Sequence, residues 1–333
     1  MKREQLLALT GAYQTAAVVL AAAELDLFTE LIKTDGARVD ELAKRIDCDD
    51  NALERLLIAT NSLGITTLSD DKYRVDDELK DALDSRTDKT IVPLLRHQAT
   101  CFRDWSQLAR SVKTGMRANG TPGVNGADAE FRDFILAMDV VARNVAPKVA
   151  KELAAKGLLN FQRMLDLGGA SGSYARAFLE VVANPNAVAV IFDRASALNE
   201  ARTKFSQTKF SERVEFYPGD FYTDPYPQDV DFVWISAIIH QQDSTETERM
   251  FRRSFDALRP GGVVAVRDFF LNEDGSCSKS AALFGLNMLA RTREGKIYTA
   301  RETVALLTKV GFQDAELIIP TDDMGAVVVA YKR

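Results

Sequence analysis

From Phe161 onward, short runs rich in branched residues alternate with helical stretches. The runs are "MLDL", "VAVIFD", "RVEFYPGD", "VDFVWISAII", "GVVAVRDFFL", "AELIIP" and "AVVVAYK". This alternation constrains the fold more than any other feature. A helix between two strands returns the chain to the same edge, so the strands run parallel and helices cover both faces of the sheet. The fold class is therefore α/β, with a mostly parallel sheet. A short polar link instead of a helix joins the last two runs, which predicts an antiparallel hairpin at the sheet edge.

The first run opens "MLDLGGASGSYARAFLE", residues 164–180. It reads as a strand, a glycine-rich turn and an amphipathic helix, the shape of a nucleotide-binding corner. A phosphate-cradling loop would end in Lys-Ser or Lys-Thr, and none follows. Gly168, Gly169, Ala170, Ser171, Gly172 and Ser173 do not match the dinucleotide pattern GxGxxG. Asp166, just ahead of the glycines, would repel a pyrophosphate at this helix N-terminus. S-adenosylmethionine carries an ammonium and a sulfonium and no phosphate. An acid suits that cation, and glycines let it approach the backbone.

Later acids extend the same edge. Asp193 closes "VIFD", where it can accept hydrogen bonds from a ribose diol. "YPGDFY" sets Asp220 and Phe221 at the next strand end, an acceptor for an adenine amino group and a ring to pack on the base. Each acid alone could equally be a helix cap or a solvated turn. Three on consecutive strand ends point to one site. The chain has two histidines. His97, in "LLRHQATCF" on a predicted helix, reads as structural. His240 follows the strand "WISAII" and opens a polar loop on the ligand-binding edge. Two distant histidines and scattered acids lack metal-ligand spacing, so no metal is expected.

The first hundred residues read differently. Leu6, Leu7, Leu9, Tyr13, Ala16, Ala17, Leu20 and Leu27 recur at near-helical spacing. "VDELAKRIDCDDNALERLLIATNSLGI" predicts two short helices joined by an acidic turn, and "GITTLSDDKYRVDDEL" a small hairpin around Asp-Asp. Helix, turn, helix, hairpin is the order of a winged helix, which can read a DNA groove. Residues 34–84, however, hold fourteen acidic and seven basic side chains, and the whole chain carries a net charge of -6. Phosphate binding needs the opposite sign, so neither nucleic acid nor an anionic membrane is an expected partner. The N-terminal helices are apolar on more than one face, which suits a twofold homodimer.

Between these regions, "HQATCFRDWSQLARSVKT" and "AEFRDFILAMDVVARNVAPKVAKEL" predict two helices flanking a loop at residues 115–128. Pro147 is expected to kink or restart the second helix. The expected domains are residues 1–100 (helical, winged-helix, dimerising), 101–160 (connecting helices) and 161–333 (cofactor-binding). Cys48, Cys101 and Cys277 are odd in number and far apart, which fits a reducing compartment. "AAVVLAAA", residues 16–23, is too short to span a bilayer, and no leader pattern is evident. A cytoplasmic protein is the expectation.

Residues 161–333 resemble the catalytic domain of the class I, S-adenosylmethionine-dependent small-molecule O-methyltransferases, among them plant phenylpropanoid and bacterial antibiotic-pathway enzymes. The matching stretches are "LDLGGASG", "IFDRASALNEAR", "VEFYPGDFY", "ISAIIHQQD", "ALRPGGVVAVRDFFL" and "YTARETVALLTKVGF". Residues 1–100 resemble that family's winged-helix dimerisation region. The resemblance implies a Rossmann-like methyltransferase domain plus an N-terminal α-helical winged-helix domain. It implies S-adenosyl-L-methionine as cofactor and S-adenosyl-L-homocysteine as product.

The resemblance also implies residue roles. Gly168, beside Asp166 and Gly169, would meet the methionine part of the cofactor. Asp193 would hold the ribose, and Asp220 and Phe221 the adenine. Ser236 stands where a lysine near the adenine is common. His240 stands at the general base, and Asp268 where many members carry a glutamate that supports it. A base that removes the acceptor's proton makes a hydroxyl nucleophilic, and an acid behind it orients the ring. Phe134, Met138, Asn144, Phe284, Asn287 and Met288 would line the acceptor pocket, with ordinary helix packing as the alternative for each. Their Met and Phe content points to a flat apolar acceptor, such as an aromatic or polyketide ring.

Departures from the pattern keep a second reading open. Ala170 replaces a usual third glycine. Gln241 and Gln242 follow His240 where Asp-Trp is frequent, and Ile297 or Tyr298 occupies the place of a second glutamate. A C- or N-methyltransferase that relies on positioning, or a relative that binds the cofactor without transferring methyl, is the alternative.

Overall fold

A computed structural model describes residues 1–118, 120–321 and 323–333. The chain divides into two units, Met1–Arg103 with Gly120–Val140, and Asp104–Asn119 with Val141–Arg333. The expected connecting segment, 101–160, is thus shared between them. The loop read at 115–128 and the link of the edge hairpin each contain one position, 119 and 322, outside the described residues.

In the first unit, the helical spacing produces α1 (Arg3–Glu24), α2 (Leu27–Lys33), α3 (Val39–Ile46) and α4 (Asp50–Ser62). The acidic turn between α3 and α4 is a pair of caps. Asp47 ends α3 in the left-handed region at φ 53°, and Asp49 accepts the Ala52 N–H at 2.9 Å to start α4. Strands β1 (Thr66–Ser69) and β2 (Lys72–Val75) pair antiparallel. Their two-residue turn places Asp70 and Asp71 at φ 52° and 57°, a conformation that short acidic side chains tolerate in hairpins. Helices α5 (Lys80–Leu83) and α6 (Val92–Trp105) follow. Leu27, Phe28, Leu31, Leu42, Leu53, Leu57 and Tyr73 form one buried cluster.

Helix α1 corrects one expectation. The apolar run judged too short to span a bilayer lies inside a helix of 22 residues, which by length and composition alone is long enough to cross one. The helix runs on because Thr10, Gly11 and Gln14 interrupt the hydropathy without breaking the backbone ladder. Leu6, Leu7, Leu9 and Tyr13 are more than half exposed on it.

Helix α7 (Leu108–Thr114) is separate from α6, so the single helix read through "HQATCFRDWSQLARSVKT" is broken at Ser106–Gln107. Helix α8 (Gly126–Ala155) passes through Pro147 as one assigned helix of 30 residues. Ala146, Val149, Ala150 and Leu153 bury themselves on both sides of that proline, so packing of this face holds the helix across the missing hydrogen bond.

The remaining elements are β3 (Arg163–Leu167), α9 (Ser173–Val181), β4 (Val188–Asp193), α10 (Ala195–Phe205), β5 (Val214–Pro218), β6 (Val230–Ser236), α11 (Ser244–Ala257), β7 (Leu258–Asp268), β8 (Phe270–Leu271), α12 (Lys279–Arg291), β9 (Tyr298–Thr299), α13 (Ala300–Val310), β10 (Gln313–Ile319) and β11 (Ala326–Tyr331). Seven of the strands form one sheet in the order β10-β11-β7-β6-β3-β4-β5. Strands β3 to β7 are mutually parallel, and β11 and β10 are antiparallel at the edge, as the polar link predicted. Both faces are covered. Met164, Ile191, Phe232, Trp234 and Ala265 join one core, while Leu165, Leu167, Val190, Val233, Ile235 and Val266 join the other. That double burial explains the nearly unbroken apolar strands.

Two runs are shorter than they read. "VDFVWISAII" stops as a strand at Ser236, because Ala237 takes φ 57° and turns the chain. "GVVAVRDFFL" divides after Asp268, and Phe270–Leu271 pairs with β9 instead. The strand order reverses between β3 and β6, which opens a crevice beyond their C-terminal ends.

Candidate active site

Gly168 is the first residue past β3, at φ 65°, and a Cβ there would lie 2.6 Å from the Ile238 Cδ1 and 3.8 Å from the Phe221 ring. Gly169 approaches the Asp166 carboxylate so closely that a Cβ would sit 2.7 Å from its Cγ. Gly172, at φ 75°, leaves room for Phe205 and Ile191. Ala170 shares the left-handed conformation, at φ 46°. The position where a third glycine is usual therefore demands glycine-like geometry, and the alanine occupies it under strain.

Asp166 is buried beneath this loop. Its Oδ2 accepts the Ala175 N–H at 3.2 Å, from the first turn of α9. Burial raises its pKa to about 7, and the negative charge of Asp193 pushes in the same direction. A cation held above the loop would act in the opposite sense.

Asp193 ends β4. Its Oδ2 accepts the Ala170 N–H at 2.9 Å and its Oδ1 the Arg194 N–H at 2.7 Å. Those bonds fix the carboxylate and leave acceptor capacity for a diol, since an ionised carboxylate has about four lone-pair sites. Burial raises the Asp193 pKa, against those two N–H groups, and the Asp220 charge adds to the rise. Asp220 accepts the Tyr222 N–H at 2.8 Å, while its own N–H donates to Asp224 at 2.8 Å. Phe221 is half-buried, its ring 4.5 Å from that of Tyr222. Ser236 closes β6, and its Oγ accepts from the Arg267 Nη1 at 3.2 Å.

His240 lies in a short 3-10 turn, Ile239–Gln241, beyond β6. Its Nδ1 is 2.7 Å from Asp268 Oδ1. Asp268 is fully buried at the end of β7. Its carboxylate also receives the Phe269 N–H at 2.8 Å and the His240 N–H at 3.4 Å. A carboxylate surrounded by donors accepts from the ring as well, so the proton sits on Nδ1 and the Nε2 lone pair is the basic one. The Phe284 ring meets the imidazole edge-on at 4.7 Å. Sequence reasoning missed Gly295, where a Cβ would come within 2.6 Å of the His240 carbonyl oxygen. It also missed the part played by Tyr298, whose hydroxyl donates to the Gln242 carbonyl at 3.0 Å and lies 3.0 Å from Thr247. Tyr298, one of the two residues (Ile297 or Tyr298) at the expected place of a second glutamate, is buried and holds the histidine loop.

The expected acceptor-pocket residues divide between the two units. In the second unit, Phe284 touches the histidine ring. Asn287 accepts the Trp105 Nε1–H at 2.9 Å, and Met288 is buried in α12. Phe134 and Met138 lie in the first unit, with Phe134 5.2 Å from the His97 ring. Asn144 is exposed on α8.

The glycine corner, the acids Asp193 and Asp220 and the His240–Asp268 pair all lie toward the C-terminal ends of the parallel strands, where α/β enzymes bind their ligands. A model of the O-methyltransferase domain matches residues 105–313. The chain belongs to this family, the S-adenosylmethionine-dependent O-methyltransferases. It is 30% identical over 317 residues to the tetracenomycin polyketide synthesis 8-O-methyl transferase of Streptomyces glaucescens, covering 93% of this chain and 91% of that one. It is 24% identical over 322 residues to the 3-hydroxy-5-methyl-1-naphthoate 3-O-methyltransferase of Streptomyces sahachiroi, covering 93% and 89%. The crystal structure of human N-acetylserotonin methyltransferase in complex with SAM superposes with a TM-score of 0.78 at 25% identity, covering 100% of this chain and 98% of that one. The mixed α/β architecture with its seven-stranded sheet matches the class I methyltransferase fold.

Proposed function

We propose that this enzyme methylates a hydroxyl on an aromatic, polyketide-like small molecule, with His240 as general base and Asp268 as its orienting partner. The observation that carries the reading is the 2.7 Å contact between His240 Nδ1 and the buried Asp268 carboxylate. Two relatives, named for a tetracenomycin polyketide and for a hydroxynaphthoate, support the acceptor class.

When bound, S-adenosylmethionine supplies an activated methyl group for in-line displacement. Every other contribution comes from the chain. Gly168 leaves its backbone open to the methionine part, with Asp166 and Gly169 behind it. Asp193 accepts from the ribose, Asp220 from the adenine amino group, and Phe221 packs on the ring; Ser236 ends β6, beyond Gly168 and on the far side of the site from the adenine. Phe284, edge-on to His240, offers apolar surface to the acceptor, and Phe134, Met138, Asn144, Asn287 and Met288 are the further candidates for its lining. His240 Nε2 takes the hydroxyl proton as the oxygen attacks, and Asp268 stabilises the imidazolium that forms. No residue role proposed here calls for a metal.

In the first unit, α3, α4 and the β1–β2 hairpin follow the order of a winged helix. We read it as a dimerisation module, because its surface is acidic and α1 exposes Leu6, Leu7, Leu9 and Tyr13. All three cysteines are free, in keeping with a cytoplasmic setting. Light scattering on the full chain tests the assembly, and a monomer refutes it. For the chemistry, the His240→Ala variant is expected to bind the cofactor as the wild type does and to lose most turnover on phenolic acceptors. Unchanged turnover would favour a C- or N-methyltransferase that relies on positioning.

A further inference from the structure

One charged side chain plays no part in the chemistry above. Arg267 follows the apolar run Val263–Val266, one residue before the end of β7, and is only 5% exposed. Its Nη1 donates to Ser236 Oγ at 3.2 Å, and its guanidinium lies over the Tyr174 ring at 5.4 Å. Among the described residues no carboxylate pairs with it within ion-pair distance. The acid that feels its charge is Asp323, whose pKa is lowered first by the Thr321 hydroxyl and only in smaller part by Arg267. Among the described residues, three buried donors at this place lack a well-formed hydrogen-bond partner: Arg267 Nε, Trp234 Nε1 and the Tyr174 hydroxyl, which faces only Ser236. The Tyr174 and Trp234 rings are 5.1 Å apart, so the donors share one neighbourhood.

A buried guanidinium with no anion is costly, and so is each unpaired donor. A ligand that supplies a negative charge and several acceptor atoms would relieve both costs. A carboxylate fits, since it offers about four lone-pair sites to such donors. The sheet edge also orders the ligand. Asp220 follows β5, Asp193 ends β4, Gly168 follows β3, and Ser236 with Arg267 ends β6 and β7. From β5 to β6 is three strand spacings, roughly 14 Å, and to β7 four, roughly 19 Å; the Arg267 side chain reaches back to Ser236 on β6, which brings its guanidinium toward the reach of an extended adenosyl amino acid.

We propose that Arg267, with Tyr174 and Ser236, forms the seat for the amino-acid carboxylate of S-adenosylmethionine. It positions the methionine end of the donor so that the methyl group faces His240. This rests on the cofactor placement proposed above.

The test is calorimetric titration of the full-length protein with three ligands: S-adenosylhomocysteine, its decarboxylated analogue, and 5′-methylthioadenosine, which lacks the amino acid. The wild type should prefer S-adenosylhomocysteine over the decarboxylated analogue by at least about 10-fold, as hydrogen bonds to a charged group imply. Arg267→Met should lose that preference while its affinity for 5′-methylthioadenosine is unchanged, and Arg267→Lys should keep part of it. Tyr174→Phe, which removes only a hydroxyl, should reduce the preference about 3-fold to 10-fold, and it serves if the arginine variant does not fold. A preference that survives in Arg267→Met, or an equal loss for all three ligands, overturns the proposal. If the wild type binds none of the three, the cofactor placement itself falls, a result distinct from a surviving preference.

Discussion

Asp268→Asn probes the histidine pair with little change in shape. In the wild type the carboxylate accepts three N–H groups: His240 Nδ1–H at 2.7 Å, the Phe269 N–H at 2.8 Å and the His240 N–H at 3.4 Å. Oδ1 takes two of these. An asparagine has one carbonyl oxygen, and at the Oδ1 position it still accepts the Phe269 N–H and the ring Nδ1–H, while its NH₂ faces the weaker His240 N–H. The ring therefore stays in place with its tautomer. What is lost is the negative charge that stabilises the imidazolium formed when Nε2 takes the proton. Loss of a positioned base costs about 10²-fold to 10⁴-fold in rate, and the equivalent change in a serine protease triad costs about 10⁴-fold. The expectation is that kcat falls by about 10²-fold to 10⁴-fold on a weakly acidic phenol. Affinity for S-adenosylhomocysteine should be unchanged. An acceptor already ionised at the assay pH should recover most of the rate, a split that general destabilisation would not produce. Single-turnover rates on a series of phenols of graded acidity provide the assay. If Asp268→Asn turns over weakly acidic phenols within about 3-fold of wild type, base catalysis by this pair, which the cited magnitudes require, is refuted.

Three further outcomes follow from the glycine corner. Ala170→Gly removes the left-handed strain at φ 46° and should stabilise the protein by about 1 kcal/mol, read as a higher denaturant midpoint; a lower midpoint would show that the alanine methyl packs usefully. Gly168→Ala introduces a methyl 2.6 Å from Ile238 Cδ1 and should weaken S-adenosylhomocysteine at least about 10-fold, with Ile238→Ala restoring only the steric part, as titration would show. Burial lifts Asp166 to about 7 in the folded chain, whereas in the unfolded chain it ionises near 4. Between those values the folded state holds the extra proton, so raising the pH from about 4 to 7 removes stability, of order 4 kcal/mol without cofactor. Asp166→Asn should flatten that dependence in urea unfolding followed across the same pH range, and an unchanged slope would rule out Asp166 as its source.

Much of the fold was legible because each signal is local. Period-two and continuous branched runs mark strands, and the absence of a helix between the last two marks a hairpin. The exceptions are positions where the backbone overrides the pattern. Ala237 at φ 57° ends β6 inside an apolar run, and packing on both sides of Pro147 carries α8 through a breaker. The row of acids proposed to hold the cofactor was legible too, since Asp193 ends β4, Asp220 follows β5 and the sheet brings those ends together. The placement of the residues proposed for the acceptor was not. Phe284, Asn287 and Met288 share a helix, yet one meets the histidine, one binds Trp105 and one is buried. Helical rotation alone separates them, and sequence spacing does not say which face is which.

Arg267 shows where a better reading would have looked. A charge inside "GVVAVRDFFL" is costly in a strand covered on both faces, and such a cost is a sign of function or of a partner. By itself, the sequence determined the α/β class, the glycine corner and the row of strand-end residues, because these depend on chain order and local preference. Only the tertiary structure decided that Asp268 reaches His240 across 28 residues, that Tyr298 holds the histidine loop, and that, among the described residues, Arg267, Tyr174 and Trp234 leave donors together without a well-formed acceptor. Those facts depend on which strands become neighbours and which way each side chain faces. That is fixed by the packing of the whole sheet.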